Sequence, residues 1–303
     1  MNRKPMLTRW LAPLLMLVGM TALAADAPVL RVAYAGSMGV VMDQSLGPDF
    51  ATSHHASYEG IGQGSFALAR LLAAKQMQAD VFVAITPSPM KVVQQAGLVE
   101  HAVPVASTRM VVIYSPGSRF AADFAAAARG EKNWYDVLRK PGLRLGRTDP
   151  AVDPQGANAL LTLQLAARYY HQPELLQQVA GELQNPSQIF AEPSLMSRLE
   201  AGQIDAAIGY ASAAHSHHLP TIDLPNEINL AQPAMQAAWY AKANLKLPDG
   251  KVLTAQPLVF YAAVLSNAKQ PELGKDFISL LQSAEGQVML RERGYDPPHG
   301  DAL

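Results

Sequence analysis

Short β-rich runs alternate with apolar-periodic stretches from Val29 almost to the C-terminus, and this alternation limits the fold more than any other feature. Val29–Tyr34, Asp80–Ile85, Arg109–Tyr114, Leu143–Gly146, Ile204–Tyr210 and Pro257–Val264 read as strands, and Tyr58–Ile61 as a further one. Between them lie helical patterns: Met38–Phe50, Phe66–Lys75, a helix opening at Pro87, Gly156–Tyr170, Leu195–Glu200 and a terminal helix Asp276–Leu290. Leu68, Leu71 and Leu72 share one face of the second of these. Strands interleaved with helices predict an α/β architecture of mainly parallel sheets flanked by helices. With 303 residues there is material for two such units. The Ser115–Ser118 turn cluster and the loop region Leu224–Ala237 read as the crossings between them. This divides the chain into lobe one (25–115 and 232–303) and lobe two (116–231), with the ligand site in the cleft between the lobes.

Composition excludes several classes. Hydrophobic residues make up 49% and charged residues 16%, enough apolar material for a packed core. The 24 basic and 25 acidic residues nearly balance, which argues against nucleic acid as a partner. With no cysteine there is no disulfide framework, thiolate-ligated metal, thiol nucleophile or lipoprotein anchor. At the N-terminus, Arg3, Lys4 and Arg9 precede the apolar run Trp10–Leu23, and Ala22-Leu23-Ala24 has the small-x-small form of a cleavage site. Residues 1–24 therefore read as a cleaved export signal, too short and wrongly flanked for a spanning helix. A periplasmic location is the expectation.

Several residues could carry binding chemistry. Ser37, in Gly36-Ser37-Met38-Gly39, and Ser65, in Gly62-Gln63-Gly64-Ser65, each open a helix after a strand. A serine hydroxyl beside free N–H groups at a positive helix end suits an anion, although serine also caps helices routinely. Asp149-Pro150-Ala151-Val152-Asp153-Pro154-Gln155-Gly156 follows a strand and precedes a helix. There the N–H groups of Gln155 and Gly156 are expected to face the cleft, and either Asp could cap the turn. Glu192 stands just before the helix carrying Leu195 and Leu199, where an acid could simply complement the helix dipole. Tyr210 ends a strand, as a cleft donor or as a packed aromatic. His215-Ser216-His217-His218 matches no defined zinc spacing.

These segments, in this order, resemble the solute-binding component of a molybdate/tungstate ABC importer. The likeness is closest to the tungstate/molybdate-binding branch best known from archaea. It covers nearly the whole mature chain through Ala35-Gly36-Ser37, Gly64-Ser65, Ala79-Asp80-Val81, Asn133-Trp134-Tyr135, Asp149–Gly156, Leu199–Asp205, Tyr210–Ala214 and Leu224–Leu230. The resemblance implies a type II periplasmic binding protein fold and an inner-membrane permease as partner. It implies a monomer, with no cofactor and no enzymatic step. Ser37, Ser65, Gln155 (through its backbone N–H) and Tyr210 would donate to the oxyanion, and Asp153 and Glu192 would bind the Mo or W centre itself. Where the branch usually has Cys-Gly-Tyr-Arg after Asp-Pro, this chain has Gln155-Gly156-Ala157-Asn158.

The two acids suit such a solute better than a plain sulfate or phosphate. A carboxylate beside a dianion is repelled by several kcal/mol at an effective dielectric near 20. Mo(VI) or W(VI) can accept carboxylate oxygens and expand from four towards six ligands, whereas sulfur in sulfate cannot. Two alternatives use the same residues. One is another oxyanion (sulfate or phosphate), or a hard cation on Asp153, Glu192 and Tyr210. The other is a serine hydrolase, since Ala35–Gly39 resembles a nucleophile elbow at Ser37. That elbow would lie on the first mature strand, without the HGGG-type segment that normally precedes it.

Overall fold

The computed structural model describes Met1 and residues 27–303; the proposed export signal lies outside the described residues. Two sheets organise the chain. The first has five strands in the order β2-β1-β3-β11-β4: β1 (Val29–Ala35), β2 (Ser57–Gln63), β3 (Val81–Ile85), β4 (Val103–Ser107) and β11 (Val259–Val264). The second has four in the order β6-β7-β5-β8: β5 (Met110–Tyr114), β6 (Leu145–Gly146), β7 (Ala206–Tyr210) and β8 (Thr221–Asp223). A small hairpin, β9 (Asn244–Lys246) with β10 (Val252–Thr254), completes the set.

Period-two burial explains the first sheet. Val81, Val83 and Ile85 of β3 join the main core, whereas Phe82 and Ala84 join a second cluster with Leu68, Leu72, Met90 and Val93 on the opposite face. A sheet apolar on both faces must be covered on both, and the helices Ser65–Ala73 and Pro87–Gln95 cover one of them. The α/β expectation holds, but the sheets are mixed rather than mainly parallel. β1 runs parallel to β2 and β3, and β6 to β7, whereas β11 is antiparallel to β3 and β4, and β5 to β7 and β8. The reason is connectivity: β5 and β11 enter their sheets from the other unit, not through a helical crossover, so nothing forces them parallel.

The first crossing also lies earlier than the turn cluster suggested. β4 ends at Ser107 in one sheet and β5 begins at Met110 in the other, so the passage is Thr108-Arg109, and 110–115 belongs with lobe two. Ser115–Ser118 is instead a reversal within lobe two, tied down by Ser115 N–H to Asp205 O and Ser118 Oγ to Asp205. The terminal helix is two helices, Pro271–Gln282 and Ala284–Glu292, divided at Ser283, whose Oγ accepts the Gly286 N–H at 3.0 Å. Among the described residues no helix is long and apolar enough to cross a membrane.

Candidate functional site

Each candidate residue stands at the end of a strand or the start of a helix facing the other sheet's unit. Ser37 follows β1 in the 3-10 turn Gly36–Met38, and Ser65 opens the helix after β2. Asp153 is the N-cap of the helix Pro154–Tyr169, with Gln155 one residue inside it. Glu192 is the first residue of the helix Glu192–Glu200, and Tyr210 ends β7. All six are buried, between 0 and 7% exposed. The lobes meet here: Ala67 N–H donates to Val152 O at 3.1 Å, and Arg70 Nη2 to Ala151 O at 2.9 Å.

Two glycines let the acids close onto the serines. A Cβ at Gly36 would lie 2.6 Å from Glu192 Oε2, and one at Gly64 only 2.7 Å from Val152 O and 3.0 Å from Asp153 Cβ. Each Gly-Ser pair of lobe one therefore faces one carboxylate of lobe two, and only a missing side chain allows the approach.

Burial dominates the electrostatics. It pushes the Asp153 carboxyl up to about 6, although the Gln155 N–H donated to it at 2.9 Å opposes the shift. Glu192 is raised well above the usual carboxylate range, first by burial and then by the nearby Asp153 charge, with the Ser37 N–H partly opposing. Burial and the same two acids raise Tyr210, against the Asn158 amide that donates to its oxygen at 3.1 Å, so it stays a protonated hydroxyl. Ser37 Oγ and Glu192 Oε1 make no hydrogen bond within the protein. Buried polar atoms are rarely left so, and both are free to take a partner from outside the protein. Cavities of about 350 Å3 and about 460 Å3 are both lined in part by Glu192.

One expectation is corrected. The Gln155 N–H does not face the cleft, because a capping Asp takes the amide two residues on, and here Asp153 does. The Gln155 side-chain amide is fully buried, unpartnered, and lies against Gly209. Asp149 is a turn residue, accepting from Ala151 N–H and Gln184. The histidines scatter: His215 bonds Glu292 O, and His217 bonds Glu200 at 2.6 Å. Among the described residues no group of three or more His, Asp or Glu is placed to hold a metal ion. Sequence reasoning missed Asn158, one turn beyond Gln155, and Ser212, two residues beyond Tyr210. Ser212 is fully buried with an unpartnered Oγ. It also missed Tyr295, whose OH donates to Ser37 O at 2.8 Å and for which no local pattern exists.

Two α/β lobes, two chain crossings and a polar seam buried between them define a protein that encloses a solute. The chain belongs to the bacterial extracellular solute-binding protein family, whose model matches residues 30–296. It is 30% identical over 254 residues to a putative ABC transporter molybdenum-binding protein of Haloferax volcanii, covering 80% of this chain and 77% of that one. It is 26% identical over 293 residues to the molybdate/tungstate-binding protein WtpA of Pyrococcus abyssi, covering 88% and 84%. The match spans 61% and 60% of the length of two uncharacterized solute-binding relatives. Its fold is shared with the periplasmic molybdate-binding protein of Azotobacter vinelandii (TM-score 0.59, 14% identity, 89% and 100% covered).

Proposed function

We propose that the chain captures molybdate or tungstate outside the cytoplasm, in the periplasm, and delivers it to an ABC permease. The observation that carries this reading is the pair of buried acids, Asp153 and Glu192, each closed against a Gly-Ser pair. Ser37, Ser65 and Tyr210 donate hydroxyl protons to the oxo groups. Ser65 Oγ already accepts the Ile85 N–H at 3.4 Å, which leaves its proton for the solute. Asp153 and Glu192 supply carboxylate oxygens to the electron-poor centre, which offsets the cost of burying them. Gln155 acts through Asp153, holding one carboxylate oxygen so that the other faces the seam. The solute touches both lobes and so stabilises the closed form by its differential affinity.

The hydrolase alternative needs a base on Ser37 Oγ, which makes no hydrogen bond. Titration calorimetry with molybdate, tungstate, sulfate and ferric citrate on one sample tests the proposal. Tight binding of the first two and none of sulfate is expected, and loss of at least about 100-fold in Asp153→Ala and Glu192→Ala. Variants that bind tungstate as tightly as the parent would remove the carboxylates from the ligand set. Ferric binding alone would turn the site into a hard-cation site.

A further inference from the structure

The segment Glu292–Asp296, which begins at the last residue of the final helix, touches both lobes beside the crossing at Thr108-Arg109. On lobe one, Ser107 and Asp296 exchange both backbone hydrogen bonds, at 2.9 and 3.0 Å. Arg293 Nη2 donates to Ser45 Oγ at 3.2 Å, and the Tyr295 ring meets Phe260 of β11 edge-on at 5.5 Å. On lobe two the segment lies along the helix Ala211–Ser216. Ser216 Oγ donates to Arg293 O at 3.1 Å, and the His215 imidazole Nε2 lies 3.1 Å from Glu292 O. The approach is close enough that a Cβ at Gly294, itself at φ +81, would lie 2.5 Å from His215 Cβ.

Tyr295 stands in the middle of this strap and is buried. Its phenol donates to the Ser37 carbonyl at 2.8 Å. Ser37 is the residue whose N–H faces Glu192 and whose Oγ is unpartnered. We propose that Tyr295 is a positioning residue: the strap, held by both lobes, sets its hydroxyl against the Ser37 carbonyl, so that the Ser37 peptide is fixed before a solute arrives. The solute then meets a Ser37 that is already oriented, which saves the cost of ordering that peptide on binding. Tyr295 itself touches the site through Ser37. In the capture reading proposed above, it governs how long the solute is held more than how fast it arrives.

Two variants test the linkage. Tyr295→Phe removes only the hydroxyl, and Ser216→Ala removes a strap anchor that makes no contact with Ser37. Hydrogen exchange of the ligand-free protein is expected to quicken at the Ser37–Gly39 amides in both variants. A rise in Ser216→Ala confined to residues 211–218 and 291–295, or no rise at Ser37 in Tyr295→Phe, would overturn the proposal whatever solute the protein binds. For tungstate, Tyr295→Phe should speed release about fivefold, the usual worth of one buried hydrogen bond, with the association rate unchanged. Because the contacts act in series, the double variant should release no faster than Tyr295→Phe; additive rates would count against the linkage. A parent that binds no oxyanion would sink the capture reading and leave the exchange result to decide the strap.

Discussion

The two halves of the site differ in kind. Lobe one presents Gly36-Ser37 and Gly64-Ser65, neutral and small, at the ends of the parallel neighbours β1 and β2. Lobe two presents Asp153, Glu192 and Tyr210, with both carboxylates at helix starts. In the capture reading, one half works by shape and by hydroxyls, the other chiefly by charge. Damage to the first should therefore act on closure and leave the free protein intact, and damage to the second should change how the protein responds to pH.

Gly64→Ala should have the largest effect. At φ −56 the backbone accepts alanine, so the obstacle is the other lobe's Val152 carbonyl at 2.7 Å, which cannot rotate away. Tungstate affinity is expected to fall about 100-fold or more, while the melting midpoint of the free protein stays within about 2 °C of the parent. A midpoint that drops with the affinity would show that the glycine serves the fold and not closure.

Asp153→Asn comes next and tests the charged half. The Asp153 carboxyl titrates near 3.8 when exposed and near 6 in the folded protein, so between these values the folded state holds more protons than the unfolded one. Stability of the free protein must then fall as pH rises from about 4 to about 6, by on the order of 2–3 kcal/mol, and stay lower above that. Calorimetric melting across this range should show the decline in the parent and a flatter profile, with a higher midpoint at pH 7, in Asp153→Asn. For tungstate the expected trend is opposite: a carboxylate that must ionise to reach the centre loses affinity as pH drops below about 6.

Gly36→Ala should cost only about tenfold in affinity, because the atom it meets, Glu192 Oε2, is the end of a side chain that can turn. An effect equal to that of Gly64→Ala would mean that Glu192 is held as firmly as a backbone carbonyl. Smallest is Arg70→Ala, which removes an exposed contact to Ala151 O at the rim of the seam. A change within about threefold is expected by calorimetry.

Much of the candidate site was legible because its parts are local. A serine after glycine at a strand end, an Asp before Pro at a helix start and a tyrosine closing a strand each carry their own signal. The β3 run Val81–Ile85 was equally plain, because a fully buried strand has a continuous apolar sequence. What escaped is non-local. The crossing at Thr108-Arg109 has no turn residues of its own, so the eye falls on Ser115–Ser118. The direction of β5 and β11 depends on which unit the chain has just left, which no window of residues reports. Short strands such as β8 and the β9–β10 hairpin are too brief to show a period. Asp153 accepting the Gln155 N–H could have been foreseen from capping rules, whereas the Tyr295–Ser37 contact joins residues 258 apart.

In the capture reading proposed above, having both acids on a single jaw also imposes an order on events. To a negatively charged solute diffusing in, lobe two is the unfriendly surface and lobe one the welcoming one. First contact therefore falls to the serines, and the carboxylates arrive only as the jaws swing together, when an electron-poor centre is there to receive them. An anion without such a centre would be left facing two buried acids with nothing to compensate them, and the jaws would reopen.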